Sequence, residues 1–302
     1  MLIGRQILIM FIILAVGAVC SLRGLITEEG TKQLSAVELH IVNPVLIFMS
    51  YQTEYSSRLV HGLMWSFVLS AVSFMVMLLA AALLVPGKRE DKDIERFSAV
   101  YSNCGFIGIP LINGIYGSDG VLYLTAYVTL FNLLVWTHGY MQMKGEKDFS
   151  SLLKALRSPS VIAVFLGLIC YLSGLRLHSV PSSALSYISG MNTPLAMLIA
   201  GATAARTNFI KAFRTSGIYL VAVLKLLVLP ALSFFVIRLL PAPELVLMVV
   251  LIASACPVAT TGTMFAIMMD RKPKRCSEFF AVTTVLSGLT LPLMTMMAGY
   301  FA

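Results

Sequence analysis

The sequence predicts an all-α polytopic membrane protein with ten transmembrane helices, arranged as two inverted five-helix repeats. Three observations carry that expectation. The chain of 302 residues is 58% hydrophobic and 12% charged, with a mean hydropathy of +0.89, whereas a soluble domain carries about 25% charged residues. Ten stretches approach the ~20 apolar residues that a spanning helix needs. The two halves also resemble each other. AVGAVCSLRGL (Ala15–Leu25) aligns with FLGLICYLSGL (Phe165–Leu175) at an offset of 150, so that Gly17, Cys20, Leu22, Gly24 and Leu25 recur. Asn43-Pro44 recurs as Asn192-Thr193-Pro194, and Ser102-Asn103-Cys104 meets Ser254-Ala255-Cys256 at an offset of 152. Five spans per unit is an odd number, so the second copy enters the membrane upside down. The units are residues 1–150 and 151–302.

The first span is Gln6–Ile26. Its apolar core Ile7–Cys20 has the length of a signal-peptide h-region, but its recurrence in the second half makes it a structural helix. The second, Leu34–Tyr51, holds Asn43-Pro44, and the third, Leu63–Val85, is uninterrupted. The fourth, Phe97–Tyr116, contains YSNCGFIGIPLINGIYG (Tyr101–Gly117), with four glycines, one proline and two asparagines. Gly costs about 1 kcal/mol and Pro about 3 kcal/mol inside a helix, and Pro110 removes a backbone donor. The fifth span, Gly120–Met143, carries Asn132 as a lone amide, either interhelical glue or a polar position of a site. The sixth is Val161–Leu175, and the seventh, Ala184–Ala205, contains Asn192 and Pro194. The eighth, Ser216–Leu240, places Lys225 nine residues in, which at 1.5 Å per residue is ~14 Å into a ~30 Å core. The ninth, Leu245–Met269, is interrupted by SACPVATTGTM (Ser254–Met264), and the tenth is Glu278–Phe301.

Two interrupted helices at corresponding positions of two halves point to a transporter's binding site. A half-helix beginning in mid-membrane presents free N–H groups and a positive dipole end, which suit a carboxylate. Asn103 donates from its amide, and Thr260 and Thr261 from hydroxyls. With Cys104, Gly105, Pro257, Val258, Asn132 and Asn43 they form the candidate substrate site. Gly108, Pro110, Pro257, Gly262, Asn192 and Pro194 shape the breaks and kinks. Close helix packing explains Gly105 and Gly108 equally well. Lys225 is read as a fixed cation beside the breaks, either satisfying carbonyls freed near Pro257 or adding positive potential for an anion; the alternative is snorkelling to the interface.

Charge fixes orientation. Loops after odd-numbered spans hold seventeen basic residues, from Arg23 to Arg275, and the opposite side holds four: Arg5, Arg58, Arg176 and Arg238. Positive loops stay cytoplasmic, so both termini are expected outside the cytoplasm. The formal charge of +8 lies in these short loops and does not point to nucleic acid. Thirteen of fourteen acids fall in loops or at helix ends, and Glu38 is placed about one turn from a cytoplasmic end. No carboxylate is therefore expected at the midplane, where cation pumps usually hold one. Four cysteines lie in apolar spans and Cys276 in a loop; they and the four scattered histidines give no metal-ligand spacing. Neither cofactor nor metal is expected, and no acid–base pair suggests an enzyme.

At SNCGFIGIPLINGIYG, LKLLVLP and CPVATTGTMFAIM the chain resembles the auxin efflux carrier family, which includes plant PIN-type carriers and bacterial permeases for malonate or malate. The resemblance implies ten helices in two inverted units, an architecture shared with bile-acid symporters. Helices four and nine would be broken and cross at the substrate site. Helices one, two, six and seven would form a scaffold that dimerises, while three to five and eight to ten would form a mobile transport domain. Asn103 matches the family's amide, Pro257 its crossover proline and Asn132 a polar position in the fifth helix. The implied function is elevator-type transport of a small organic anion across the inner membrane. The short link between halves, roughly Lys144–Ser160, favours a small metabolic carboxylate over auxin. A sodium-coupled symporter of the bile-acid type and a channel or sensor on the same scaffold are the alternatives.

Overall fold

The computed structural model describes residues 2–87, 91–145, 157, 159–214 and 217–301. The boundary expected after residue 150, the start of the eighth span at Ser216 and the loop cations Lys88, Arg89, Lys147 and Lys154 lie outside them. The described chain is helical throughout: α1 (Leu2–Leu22), α2 (Glu28–Ser50), α3 (Ser57–Leu84), α4 (Lys92–Val100), α5 (Cys104–Lys144), α6 (Pro159–Ser173) and α7 (Ser179–Gly190), then α8 (Asn192–Ala205), α9 (Phe209–Phe213), α10 (Ile218–Ile237), α11 (Glu244–Ala255), α12 (Thr261–Met268) and α13 (Pro273–Phe301). Six of these, α1, α2, α3, α5, α10 and α13, are long and apolar enough to cross a membrane. Each expected span falls on a helix or on two helices separated by a break. Gly117, at φ 62° and ψ −153°, interrupts α5 where the fourth and fifth spans divide, a backbone that only glycine adopts without strain.

Helix ends differ from the hydropathy boundaries where polar residues extend a helix. Hydropathy starts the second span at Leu34, but α2 begins at Glu28, because Thr27 accepts from Gly30 N at 3.0 Å and Glu28 and Glu29 sit in the first turn. Glu38 therefore lies well inside a continuous helix and is fully buried. That overturns the placement of this acid near a helix end. Cys276 is also corrected: it is buried within α13, not in a loop.

The recurring glycines mark helix crossings. A side chain on Gly17 of α1 would run into the backbone of Leu198 in α8, and one on Gly201 of α8 would meet the Leu14 carbonyl of α1. Gly167, the repeat counterpart of Gly17, gives the ring of Tyr51 its place against α6. Thus α1 packs on α8 and the second half of α2 on α6. Elsewhere Ser233 Oγ donates to Ser73 Oγ at 2.6 Å between α10 and α3, and Ser66 Oγ donates to the Tyr123 carbonyl at 2.6 Å. Leu8, Ile12, Leu79, Leu83, Leu289 and Met296 form an apolar outer surface.

Candidate functional site

The breaks at residues 101–103 and 256–260 come together. Pro257 holds the residue before it in an extended conformation, and Cys256 adopts φ −57° and ψ 151°. Tyr101 is likewise extended. The two extended pieces pair with each other: Asn103 N donates to the Pro257 carbonyl at 2.7 Å, and Ala259 N to the Tyr101 carbonyl at 3.0 Å. Among the described residues, Ser102 and Val258 form the one β-bridge, antiparallel. Val258 N donates to Thr283 Oγ1 at 3.1 Å. Backbone groups that lipid would leave unsatisfied thus find partners inside the protein, the condition for irregular chain at membrane depth.

Lys225 is the third component. Its ammonium is fully buried and donates to Ser102 Oγ at 2.5 Å, the Ser254 carbonyl at 2.9 Å and the Val100 carbonyl at 3.2 Å. Ser102 Oγ in turn donates to the Ser254 carbonyl at 3.0 Å. Snorkelling is therefore excluded. The two carbonyls it satisfies, those of Val100 and Ser254, belong to the C-terminal turns of α4 and α11, where two helix dipoles present their negative ends. Lys225 neutralises that meeting point, so its charge faces the entering half-helices.

The opposite ends carry no such compensation. α5 begins at Cys104 and α12 at Thr261, so two positive dipole ends leave the crossing. Beside them, the buried Asn103 Nδ2 and Thr261 Oγ1 have no hydrogen-bond partner among the described residues. The amide nitrogen only donates, and the hydroxyl can donate as well as accept. Gly108 is a packing glycine, because a side chain there would press on Cys104 and Cys256, and Gly262 is held against the Phe97 ring. Gly105 is different: the nearest atom to a Cβ there would be Asn43 Nδ2, at 3.9 Å. Packing therefore does not account for Gly105, and Asn43 of α2 stands over the first turn of α5.

Asn43 belongs to a second polar group. Asn192 Nδ2 donates to Glu38 Oε1 at 2.7 Å and also to Asn43 Oδ1, and all three residues are buried. Pro194 stands in the first turn of α8, where a missing N–H leaves nothing unpaired. Asn132 is not brought into either group by a hydrogen bond: its Nδ2 donates to the Val128 carbonyl of its own helix at 2.9 Å. Thr260 carries the turn into α12, accepting from Thr263 N and Met264 N through its carbonyl.

Sequence reasoning missed Ser102, Ser254, Thr283 and Glu38. Ser102 and Ser254 had a signal, since they recur at the repeat offset; Glu38 had one in the Thr27 cap that lengthens α2.

A family model described as membrane transport protein matches residues 2–150 and again 146–295. A protein from Methanothermobacter thermautotrophicus (strain Delta H), called an uncharacterized transporter, is 27% identical over 296 residues, covering 96% of each chain. A second uncharacterized transporter, from Methanocaldococcus jannaschii, is 24% identical over 299 residues, covering 95% of this chain and 96% of its own.

Proposed function

The chain belongs to the membrane transport protein family, that of the auxin efflux carriers, and from this premise we propose that it carries small organic anions such as malonate or malate across the cytoplasmic membrane. The observation that carries the anion reading is the pair of buried, unpartnered donors, Asn103 Nδ2 and Thr261 Oγ1, beside the first turns of α5 and α12. Hydrogen bonds from two donors and two positive dipole ends suit a carboxylate. Lys225 sets the sign of the field: by neutralising the ends of α4 and α11 it leaves the positive ends of α5 and α12 uncompensated.

The mechanism we propose is an elevator. The spans form two inverted five-helix units, residues 1–150 and 151–302, with the first, second, sixth and seventh spans as scaffold and the others as transport domain. Packing supports this: α1 on α8 pairs the first span with the seventh, α2 on α6 pairs the second with the sixth, and the repeat exchanges the two pairs. The scaffold also offers a dimer face. α7 has no buried residue, and acyl chains would cover its Ser183 and Ser186 poorly.

Counterflow of labelled malonate in proteoliposomes tests the function. Saturable exchange that is lost in Asn103→Ala is the expected result. Non-saturable leakage of malonate and malate would end the carrier reading.

A further inference from the structure

Glu38 is the unexplained residue of this interior. It opens a widened turn of α2 (Glu38–Val42), a π-type turn of the kind found often at functional sites. Its carboxyl is completely buried, yet Leu39, His40 and Ile41 on the same turn are exposed. Oε1 accepts from Asn192 Nδ2 at 2.7 Å, while Oε2 has no partner, and Asn192 Oδ1 has none either. Among the described residues, the neighbouring elements set no cation against it. Glu28, Glu29 and Lys32 of α2 pair among themselves in the open, and His40 bonds back to the Ala36 carbonyl. α6 offers Cys170 and Tyr171, whose hydroxyl is taken up by the Ser56 backbone, α7 offers only the exposed Tyr187, His178 before α7 is exposed, and the second half of α2 and α8 carry no titratable group. A buried, ionised carboxylate without a counter-charge is among the most costly arrangements in a membrane.

We propose that Glu38, with Asn43 and Asn192, forms a proton-binding site, and that Glu38 takes up one proton for each anion carried. Protonation forms one O–H bond at Oε2, with a proton delivered by water, and removes one negative charge; release reverses both. The proton gives the group the donor it lacks, since an ionised carboxylate only accepts. The link to the anion is geometric. Asn192 bridges Glu38 to Asn43, and Asn43 stands over Gly105 at the start of α5. An anion held there and a charged Glu38 would repel each other through a short, poorly screened path. Neutralising one favours the other.

The coupling rests on the anion-carrier reading, but the proton site does not, so it is measured first without substrate. Infrared spectra of the purified protein in H2O and D2O, taken across a pH titration, are expected to contain a buried carboxylic-acid band. That band should shift on deuteration and vanish in Glu38→Gln. The wild type alone can fail this test: no such band, or its loss on adding sodium chloride at fixed pH, overturns the proton site. Retention of the band in Glu38→Gln assigns it to another acid and overturns it equally. Labelled malonate uptake then tests the coupling. An acid gradient on the entry side should drive uptake by the wild type and by Glu38→Asp, and should lose its effect in Glu38→Gln. Gradient-driven uptake in Glu38→Gln sinks the coupling. A wild type that carries no malonate while the infrared band behaves as expected counts against the anion reading and leaves the proton site standing.

Discussion

Lys225 and Asn103 do opposite work at one crossing. Lys225 is spent on the fold: all three of its contacts are oxygens of the crossing itself. Replacing it with Met strips the donor from the Val100 carbonyl and leaves Ser254 with Ser102 alone, so Lys225→Met should destabilise by roughly 2–4 kcal/mol, the cost of one or two unsatisfied buried groups. Thermal unfolding of the purified protein should register that loss, and Lys225→Arg should recover part of it because the charge persists with altered geometry. Unchanged melting in Lys225→Met would remove the residue from the structural account. Asn103 is the reverse, since its Nδ2 satisfies nothing among the described residues. Asn103→Ala should leave melting near wild type and weaken malonate binding roughly tenfold to a hundredfold, as expected for one hydrogen bond to a charged group. Calorimetry on the same preparations separates the two residues. That Lys225 is held inside the protein was readable from its place in the eighth span, and so was its choice between two roles. Which oxygens it meets was not, because Val100, Ser102 and Ser254 reach it only through folding contacts more than twenty residues away in sequence.

The elements show why prolines and glycines were the informative letters. Three widened turns begin six residues before a proline: Glu38 before Pro44, Cys104 before Pro110 and Leu224 before Pro230. Proline lacks an N–H and crowds the carbonyl four residues back, here that of His40, Phe106 or Leu226, each inside the widened turn. The widening re-aims the residues at its start, and these include Glu38, Cys104 and Lys225. Sequence reading took Pro44 as a kink and Pro110 as part of a break and gave Pro230 no such role, and it could not see which side chain each widened turn would turn inward. Glycines are easier to rank now. Gly17→Val or Gly201→Val puts a branched side chain into the α1–α8 crossing, and either should abolish a monodisperse peak in size-exclusion chromatography. Gly105→Ala has room and should fold normally. It should nevertheless reduce malonate transport, because the new methyl group enters the space under Asn43. Full transport by Gly105→Ala would place the substrate elsewhere. The hydropathy windows missed the short α9 and the polar starts of several helices, most clearly that of α2, whose polar residues fall below any apolar threshold although Thr27 caps it well.

At the scale of the whole molecule, contacts between loops argue for the alternating course of the chain. Arg206, after the seventh span, donates to the Ile26 carbonyl after the first at 2.7 Å. Lys272, after the ninth, meets Asp91 after the third at 2.7 Å, and Arg275 extends that pairing to Asp91 and Glu95. On the other side, Arg58 after the second span meets Asp119 after the fourth at 3.5 Å, and Leu177 N after the sixth donates to Gln52 after the second at 3.0 Å. Each of these contacts joins segments that follow spans of the same parity, loops in most cases and the first turns of α4 and α13 in the pairing of Arg275 with Glu95, which is the pattern an alternating course would give. The same division separates the basic loops, seventeen residues against four. Positive charge is retained on the cytoplasmic side during insertion, so the face holding Arg206, Lys272 and Arg275 is expected there. Both ends of the chain are then expected outside. A fluorescent reporter that matures only in the cytoplasm should remain dark when fused after Ala302 and should light up when fused after Arg206 in a truncated chain. A bright fusion after Ala302 would reverse the orientation. It would also move the side from which the anion and the proton on Glu38 are loaded, while leaving the crossing of α4–α5 with α11–α12 as described.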